Sequence, residues 1–361
     1  MSNKNKQQQN QTLGFGAHCI DTQRRQFTKA MMYTGAALAI SACSRSDNSF
    51  SNPNATTAHA TDSTTKPELK LSLAQWALQR AQFGDTFNNN YEQWQAWLKT
   101  TPERVLQGEL SPLMFPEYVK ETFDIHAVDF VNTFYFDQVN NDSYWKELRQ
   151  RCKDNEIVTN NIMLDQEGFL AHNEVQARKQ AVENHIKWID VAAKLGCNSV
   201  RVNTHGIGDW DTQLSNAMES CTVLADYAKS QGLILLVENH GGLSSNADWL
   251  VSLMEQANHD ALQVLLDYDN FKWSETEIWQ TEQVYDRYEG VEKLMPFTNC
   301  ISVKTYDFDK QGNETTIDVA RMVKIAQAHN FDGYHSVEYE GHGGDPVTGI
   351  KQTRDLLKRV W

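Results

Sequence analysis

Four short apolar runs in this chain each end in a charged residue: Leu233–Glu238, Leu262–Asp267, Cys300–Lys304 and Tyr334–Glu338. The terminal charges follow one another at intervals of 29, 37 and 34 residues, room for a strand, a helix and two loops. A charge repeated at the same end of each run implies parallel strands delivering three acids and an amine to one rim. Three carboxylates at one rim repel one another and need a cation, a proton or a basic partner. A divalent metal, Mn²⁺ or Mg²⁺ foremost, takes oxygen ligands and would be satisfied by Glu238, Asp267 and Glu338. It would polarise a substrate carbonyl or stabilise an enediolate, while Glu238 and Glu338 remove and return a proton at the neighbouring carbon. A plainer alternative is that each acid caps the helix after it. Lys304 also has two readings: it holds a developing oxyanion, or it is a salt-bridge partner that lowers the demand for metal.

Other residues near these ends suit substrate contacts. His240 follows Glu238 by two positions and faces the same cavity if the chain stays extended. Arg201, Asn203 and His205 alternate at the end of another apolar run and share a face if that strand continues. They suit hydroxyl or carboxylate recognition, or structural pairing. Trp76 offers a flat face to a sugar ring, with core packing as its alternative. Gln75, Asp165 and Glu167 stand at comparable run ends.

The elements that must position these groups are legible along the chain. Leu69–Trp76, His126–Phe134, Glu156–Leu164 and Asn198–Asn203 read as four further strands. Helical periodicity fills the gaps at Ser143–Lys153, Val175–Leu195, Asp211–Gln231, Ala247–Asn258, Val284–Leu294, Ile317–Ala328 and Pro346–Val360. Residues 86–112, rich in Asn, Gln and Trp, read as an insertion before a first barrel helix near 115–123. Gly196, Gly232 and Gly333 stand where a helix gives way to a strand, the usual place for a left-handed cap. Eight strand–helix units predict an α/β fold, a (β/α)8 TIM barrel in a single domain over residues 67–361.

A signal segment is expected over residues 1–42. Gln23–Lys29 carries the paired arginines Arg24 and Arg25 of a twin-arginine export signature, and the apolar stretch Ala30–Ala42 is too short to span a bilayer. Ile40–Cys43 resembles a lipoprotein box, which predicts an exported, periplasmic protein anchored to the outer membrane by lipid on Cys43. Residues 43–66, rich in Ser, Thr, Asn and Ala, read as a flexible tether. The full chain carries a formal charge of −14, and loss of residues 1–42 takes it to −18. Such a surface repels phosphate backbones, which argues against a nucleic-acid partner and leaves the lipid anchor as the membrane contact. Cys152, Cys197, Cys221 and Cys300 lack paired spacing and read as structural thiols.

Leu73–Trp76 (LAQW), Ile162–Gly168 (IMLDQEG), Ala181–Trp188 (AVENHIKW), Val237–His240 (VENH), Leu266–Phe271 (LDYDNF) and Ser336–Gly341 (SVEYEG) together resemble the sugar phosphate isomerase/epimerase superfamily with its xylose isomerase-like barrel. The resemblance covers about residues 69–361. It implies a metal site of Glu, Asp, His and Glu on the last four strands, of which Glu238, Asp267 and Glu338 match three. Ser302 stands at the strand-seven histidine, and Asn270 stands where a histidine often follows the strand-six aspartate, beside the substrate. The expected activity is isomerisation or epimerisation of a sugar or keto-sugar through an enediolate. Two alternatives stand beside it: a lyase eliminating the aglycone of 3-keto-glycosides, and a non-catalytic sugar-binding lipoprotein. The partner in each case is a small-molecule sugar or glycoside; oligomeric state is not legible.

Overall fold

The computed structural model describes residues 67–342 and 344–361. The expected signal segment (1–42), tether (43–66) and anchor at Cys43 lie outside the described residues.

Eight strands close into a barrel in which each pairs in parallel with the next and β1 pairs with β8. They are β1 (Lys70–Ala74), β2 (Ala127–Val131), β3 (Val158–Met163), β4 (Ser199–Val202), β5 (Ile234–Glu238), β6 (Leu262–Asp267), β7 (Thr298–Thr305) and β8 (Tyr334–Tyr339). Continuous apolar composition suits strands covered on both faces, and β2 is buried along its whole length. One apolar cluster runs from strand residues such as Phe130, Leu235 and Ile301 to the fully buried helix residues Trp145, Trp188 and Trp249. Each large side chain so enclosed contributes about 1.5–3 kcal/mol over its exposed state.

Helices Val175–Leu195 and Pro346–Val360 have the expected ends, and others shift by a residue or two. Two starts move further because a side chain sets the cap. Asp286 accepts the backbone N–H groups of Tyr288 and Glu289, so that helix begins at Arg287 rather than Val284. Asp318 accepts from Arg321 N–H, and the next helix begins at Val319. Gly196 (φ +79°) and Gly232 (φ +75°) adopt the left-handed conformation, as expected. Gly333 does not. The left-handed residue there is Asn330, and Gly333 serves close approach: a Cβ would lie 2.1 Å from the Asn299 carbonyl oxygen.

Trp76 is not on a strand. The chain leaves β1 at Ala74 and turns through Gln75–Leu78, where the Gln75 side chain accepts Val131 N–H and donates to Gln82 and Tyr135. The insertion contains a helix, Tyr91–Thr100, whose Trp94 is buried against Phe83 and Phe87. Inside the barrel, one layer N-terminal of Glu338, Asp129 accepts hydrogen bonds from Ser72 (2.5 Å), Ser336 (2.6 Å) and Asn160 (2.7 Å). This knot ties β1, β2, β3 and β8 beneath the rim. Cys152, Cys197, Cys221 and Cys300 are free and buried.

Candidate active site

The C-terminal ends of the strands surround a cavity of about 1130 Å³. Its lower wall includes Arg201, Asn203, His205, His240, Asn270, Lys304 and Glu338, all expected site residues. Trp76 joins them from the turn after β1, edge-on to Phe87 at 5.2 Å between ring centres. Glu238 and Asp267 lie just under this wall; Glu238 is 2% exposed and Asp267 fully buried.

Each acid has a different partner, dictated by the strand beside it. Arg201 on β4 approaches Glu238 Oε2 through Nε at 2.7 Å, in a contact whose angle is not that of a hydrogen bond. Its Nη1 donates to Asp165 Oδ1 at 2.8 Å. Asn270 Nδ2 donates to Glu238 Oε1 at 3.2 Å. Asp267 Oδ1 accepts the backbone N–H groups of Asp269 (2.7 Å) and Asn270 (2.9 Å), so half of this carboxylate does cap a turn. Its Oδ2 faces Lys304 Nζ at 3.2 Å, and the same ammonium lies 3.5 Å from Glu340 Oε1. Ser302 donates its hydroxyl to Glu338 Oε2.

Burial and these contacts move the titrations. Burial pushes Glu238 well above the usual carboxylate range; Arg201 works against that, while Asp267 and Glu338 add repulsion. Glu338 is pushed up to about 7 by burial, with Lys304 opposing. Burial disfavours the charge on Lys304, but Asp267, Glu340 and Glu338 outweigh it and hold the ammonium protonated well above its ordinary range. Asp165 falls to about 2: burial would raise it, but the Arg201 guanidinium and the hydrogen bonds from Arg201 and Asn203 prevail. His240 is driven well below 6.5 by burial and by Arg201, so it is neutral near pH 7.

His205 Nε2 is 2.6 Å from the His240 carbonyl oxygen, and His240 Nδ1 is buried without a hydrogen-bond partner. Gly241 (φ +77°) lets the following chain press on the β6 loop, where a Cβ would lie 2.6 Å from Ile278 O. That approach sets the Trp279 ring edge-on to His240 at 4.8 Å between centres.

The sequence reading missed several lining residues. Tyr306 and Glu340 lie two positions beyond Lys304 and Glu338, where alternation along a strand places the same face. Tyr306 donates to Asp269 Oδ2 at 2.7 Å, and Arg287 pairs with Asp269 Oδ1 at 2.8 Å. Phe87, Tyr91 and Trp279 come from an insertion and a loop whose placement no local pattern signals. Glu167 also lines the cavity, with its carboxylate held by Trp188 Nε1–H at 2.5 Å.

The donor set does not fit a divalent cation. Glu238, Asp267 and Glu338 converge but face a guanidinium, an ammonium and a hydroxyl, and Ser302 brings no imidazole. Among the described residues, no group of three or more His, Cys, Asp or Glu side chains is arranged to hold a metal ion.

Residues 119–360 match the model of the xylose isomerase-like TIM barrel family. A stretch of 73 residues is 33% identical to the C-glycoside deglycosidase alpha subunit of Arthrobacter globiformis; it covers 19% of this chain and 21% of that protein, so the chain matches about a fifth of that relative's length. Among solved structures, a putative xylose isomerase from Rhodospirillum rubrum superposes with a TM-score of 0.60 at 13% identity, over 81% of this chain and 99% of that one. A 3-keto-D-glucoside 4-epimerase from E. coli gives 0.55 at 14%, over 69% and 94%. A xylose isomerase-like TIM barrel protein from Mycobacterium smegmatis, solved in complex with magnesium, gives 0.56 at 16%, over 82% and 96%. At such identities the structural likeness establishes a shared fold.

Proposed function

The chain belongs to the xylose isomerase-like TIM barrel family, and on that footing we propose that it is an isomerase or epimerase moving a proton next to the carbonyl of a sugar or keto-sugar. The observation that carries this reading is the pair of buried, mutually repelling acids Glu238 and Glu338 beside the Lys304 ammonium, which is itself paired with Asp267 at 3.2 Å and Glu340 at 3.5 Å. Two such carboxylates retain a proton between them near neutral pH, the condition for taking one proton and giving another. Glu338 lines the cavity and, with its pKa near 7, is the base. Glu238, pushed well above the usual carboxylate range by burial, is the acid.

The step balances without an external reagent. Glu338 takes the proton on the carbon beside the carbonyl, and the C–H electron pair becomes the new C=C bond. The carbonyl pair moves onto oxygen, where Lys304 holds the resulting oxyanion. Proton return to that carbon from the opposite face gives an epimer; proton return to the former carbonyl carbon, with the neighbouring hydroxyl losing its proton to become the new carbonyl, gives an isomer. Asn203, His205, His240 and Asn270 meet the hydroxyl groups, and Trp76 offers its face to the sugar ring. At about 1130 Å³ the cavity exceeds the ~300–1,000 Å³ usual for small-molecule sites. That room, with Phe87, Tyr91 and Trp279 around it, supports a glycoside rather than a free monosaccharide.

A second reading is elimination of the aglycone from a 3-keto-glycoside. The 33% identity to the C-glycoside deglycosidase alpha subunit favours it. Proton abstraction is the same, and the electron pair then expels the group on the adjacent carbon. Export and lipid anchoring at Cys43 belong to this proposal on the sequence alone.

Incubation with 3-keto-glucose and 3-keto-glycosides in D₂O, followed by mass spectrometry and NMR, separates the readings. A deuterated epimer or isomer supports the first, and a released aglycone the second. Tight sugar binding without turnover would make the chain a binding protein. Glu338→Gln should lower turnover by about 10²–10⁴-fold; a fully active variant would rule out the assigned base.

A further inference from the structure

Carboxylates gathered and buried at one rim require positive charge, and here side chains already supply it. Lys304 is 5% exposed, and its Nζ lies 3.2 Å from Asp267 Oδ2, 3.5 Å from Glu340 Oε1 and 3.5 Å from Asn270 Oδ1. Strand register puts it there: Ser302 pairs with Asp267 on β6 and Lys304 with Glu338 on β8, so the lysine on β7 rises between the two acids. A divalent ion bridging those acids would need the same space. Arg201 does the equivalent for Glu238 and Asp165.

Nor are enough donors left over. Six or more oxygens surround Ca²⁺, and Mg²⁺ demands near-octahedral geometry. Asp267 Oδ1 is committed to two backbone N–H groups, Glu238 Oε1 to Asn270, and Glu338 Oε2 to the Ser302 hydroxyl. Of the nearest imidazoles, His205 is engaged on the His240 carbonyl, and His240, with Nδ1 unpartnered, offers a single ring nitrogen, too few to complete a cage.

We infer that Lys304 stands in place of a divalent metal in this barrel, and that its ammonium holds the enediolate oxygen in a metal-independent reaction. The inference rests on the proton-transfer reading for its chemistry but not for its charge balance. A lysine does this job differently from a metal: it offers one charge and three N–H donors and needs no oxygen cage.

Manganese itself is the probe. The full chain, dialysed against EDTA, is titrated with MnCl₂ by calorimetry, with free Mn²⁺ followed by EPR. The native protein should show no site tighter than about 1 mM. Lys304→Met, which leaves the acids without their ammonium, should bind Mn²⁺ at least about tenfold more tightly. Lys304→Arg keeps the charge and should bind as weakly as the native chain, with circular dichroism confirming that both variants are folded. One equivalent of Mn²⁺ bound by the native chain below about 0.1 mM overturns the inference. So does Lys304→Met binding no better than native, or Lys304→Arg binding well. Turnover, once a substrate is found, should survive EDTA and fall about 100-fold in Lys304→Met. If no keto-sugar is turned over, the proton-transfer reading fails while the manganese titration still decides what balances the acids.

Discussion

Arg201 links two strand ends through one guanidinium, with Nε 2.7 Å from Glu238 Oε2 and Nη1 2.8 Å from Asp165 Oδ1. All three groups sit at the barrel rim, and Arg201 itself is 4% exposed. Removing one member of a buried charge cluster strands the others in low dielectric, at a cost of about 3–5 kcal/mol. Arg201→Met is therefore expected to lower unfolding stability by that amount, measured by urea denaturation. Arg201→Met combined with Asp165→Asn should recover part of it. If the single variant is as stable as the native chain, the guanidinium is not compensating these acids.

The pH dependence of the reaction follows from Glu338. A base with a pKa near 7 is ionised above that value and protonated below it. kcat/KM should rise about tenfold per pH unit up to about pH 7 and fall again once Glu238, the acid, gives up its proton. A profile that is flat from pH 5 to 9 would remove Glu338 as the base. The same shift has a stability counterpart of opposite sense. Because the folded pKa is raised, its contribution is full below about 4.5 and is lost as pH climbs through about 7.

His335 supplies a pH-sensitive element away from the cavity. Its ring lies between Phe331 and Trp361, at 5.2 and 4.9 Å between centres, and neither nitrogen has a hydrogen-bond partner. Burial depresses its pKa to about 3, and His185, buried beneath the helix that carries it, falls to about 4. Folded values below the ordinary 6.5 mean that the unfolded chain binds more protons in this window. Stability from both groups is full above about 6.5 and is lost as pH falls through their folded values. His335→Phe should raise the melting temperature more at pH 5 than at pH 8, by scanning calorimetry. Equal shifts at both pH values would exonerate His335.

Trp279 tests the size of the substrate. Its side chain is half exposed at the cavity wall and meets His240 edge-on. If a glycoside's outer ring rests there, Trp279→Ala loses about 0.5–1.5 kcal/mol of contact. KM for a 3-keto-glycoside should then rise about three- to tenfold with kcat nearly unchanged. A free 3-keto-sugar should be unaffected. Equal losses on both substrates would place the second ring elsewhere.

Much of this protein was legible from the chain alone. Apolar runs buried on both faces, each ending in Glu238, Asp267, Lys304 or Glu338, identify parallel strands and their rim, because local hydrophobicity and period are short-range properties. The long helices Val175–Leu195 and Pro346–Val360 were readable to their ends for the same reason. Gly333 and Trp76 were not, since a close approach to Asn299 and a turn after Ala74 depend on what lies beside them in space. The partner of each acid was decided only by the closed barrel. Register set Lys304 between Asp267 and Glu338, and β4 beside β5 brought Arg201 to Glu238. The aromatic wall from Phe87, Tyr91 and Trp279 likewise needed the fold. Charge compensation and cavity shape are sums over neighbours far apart in sequence, and no local pattern encodes them.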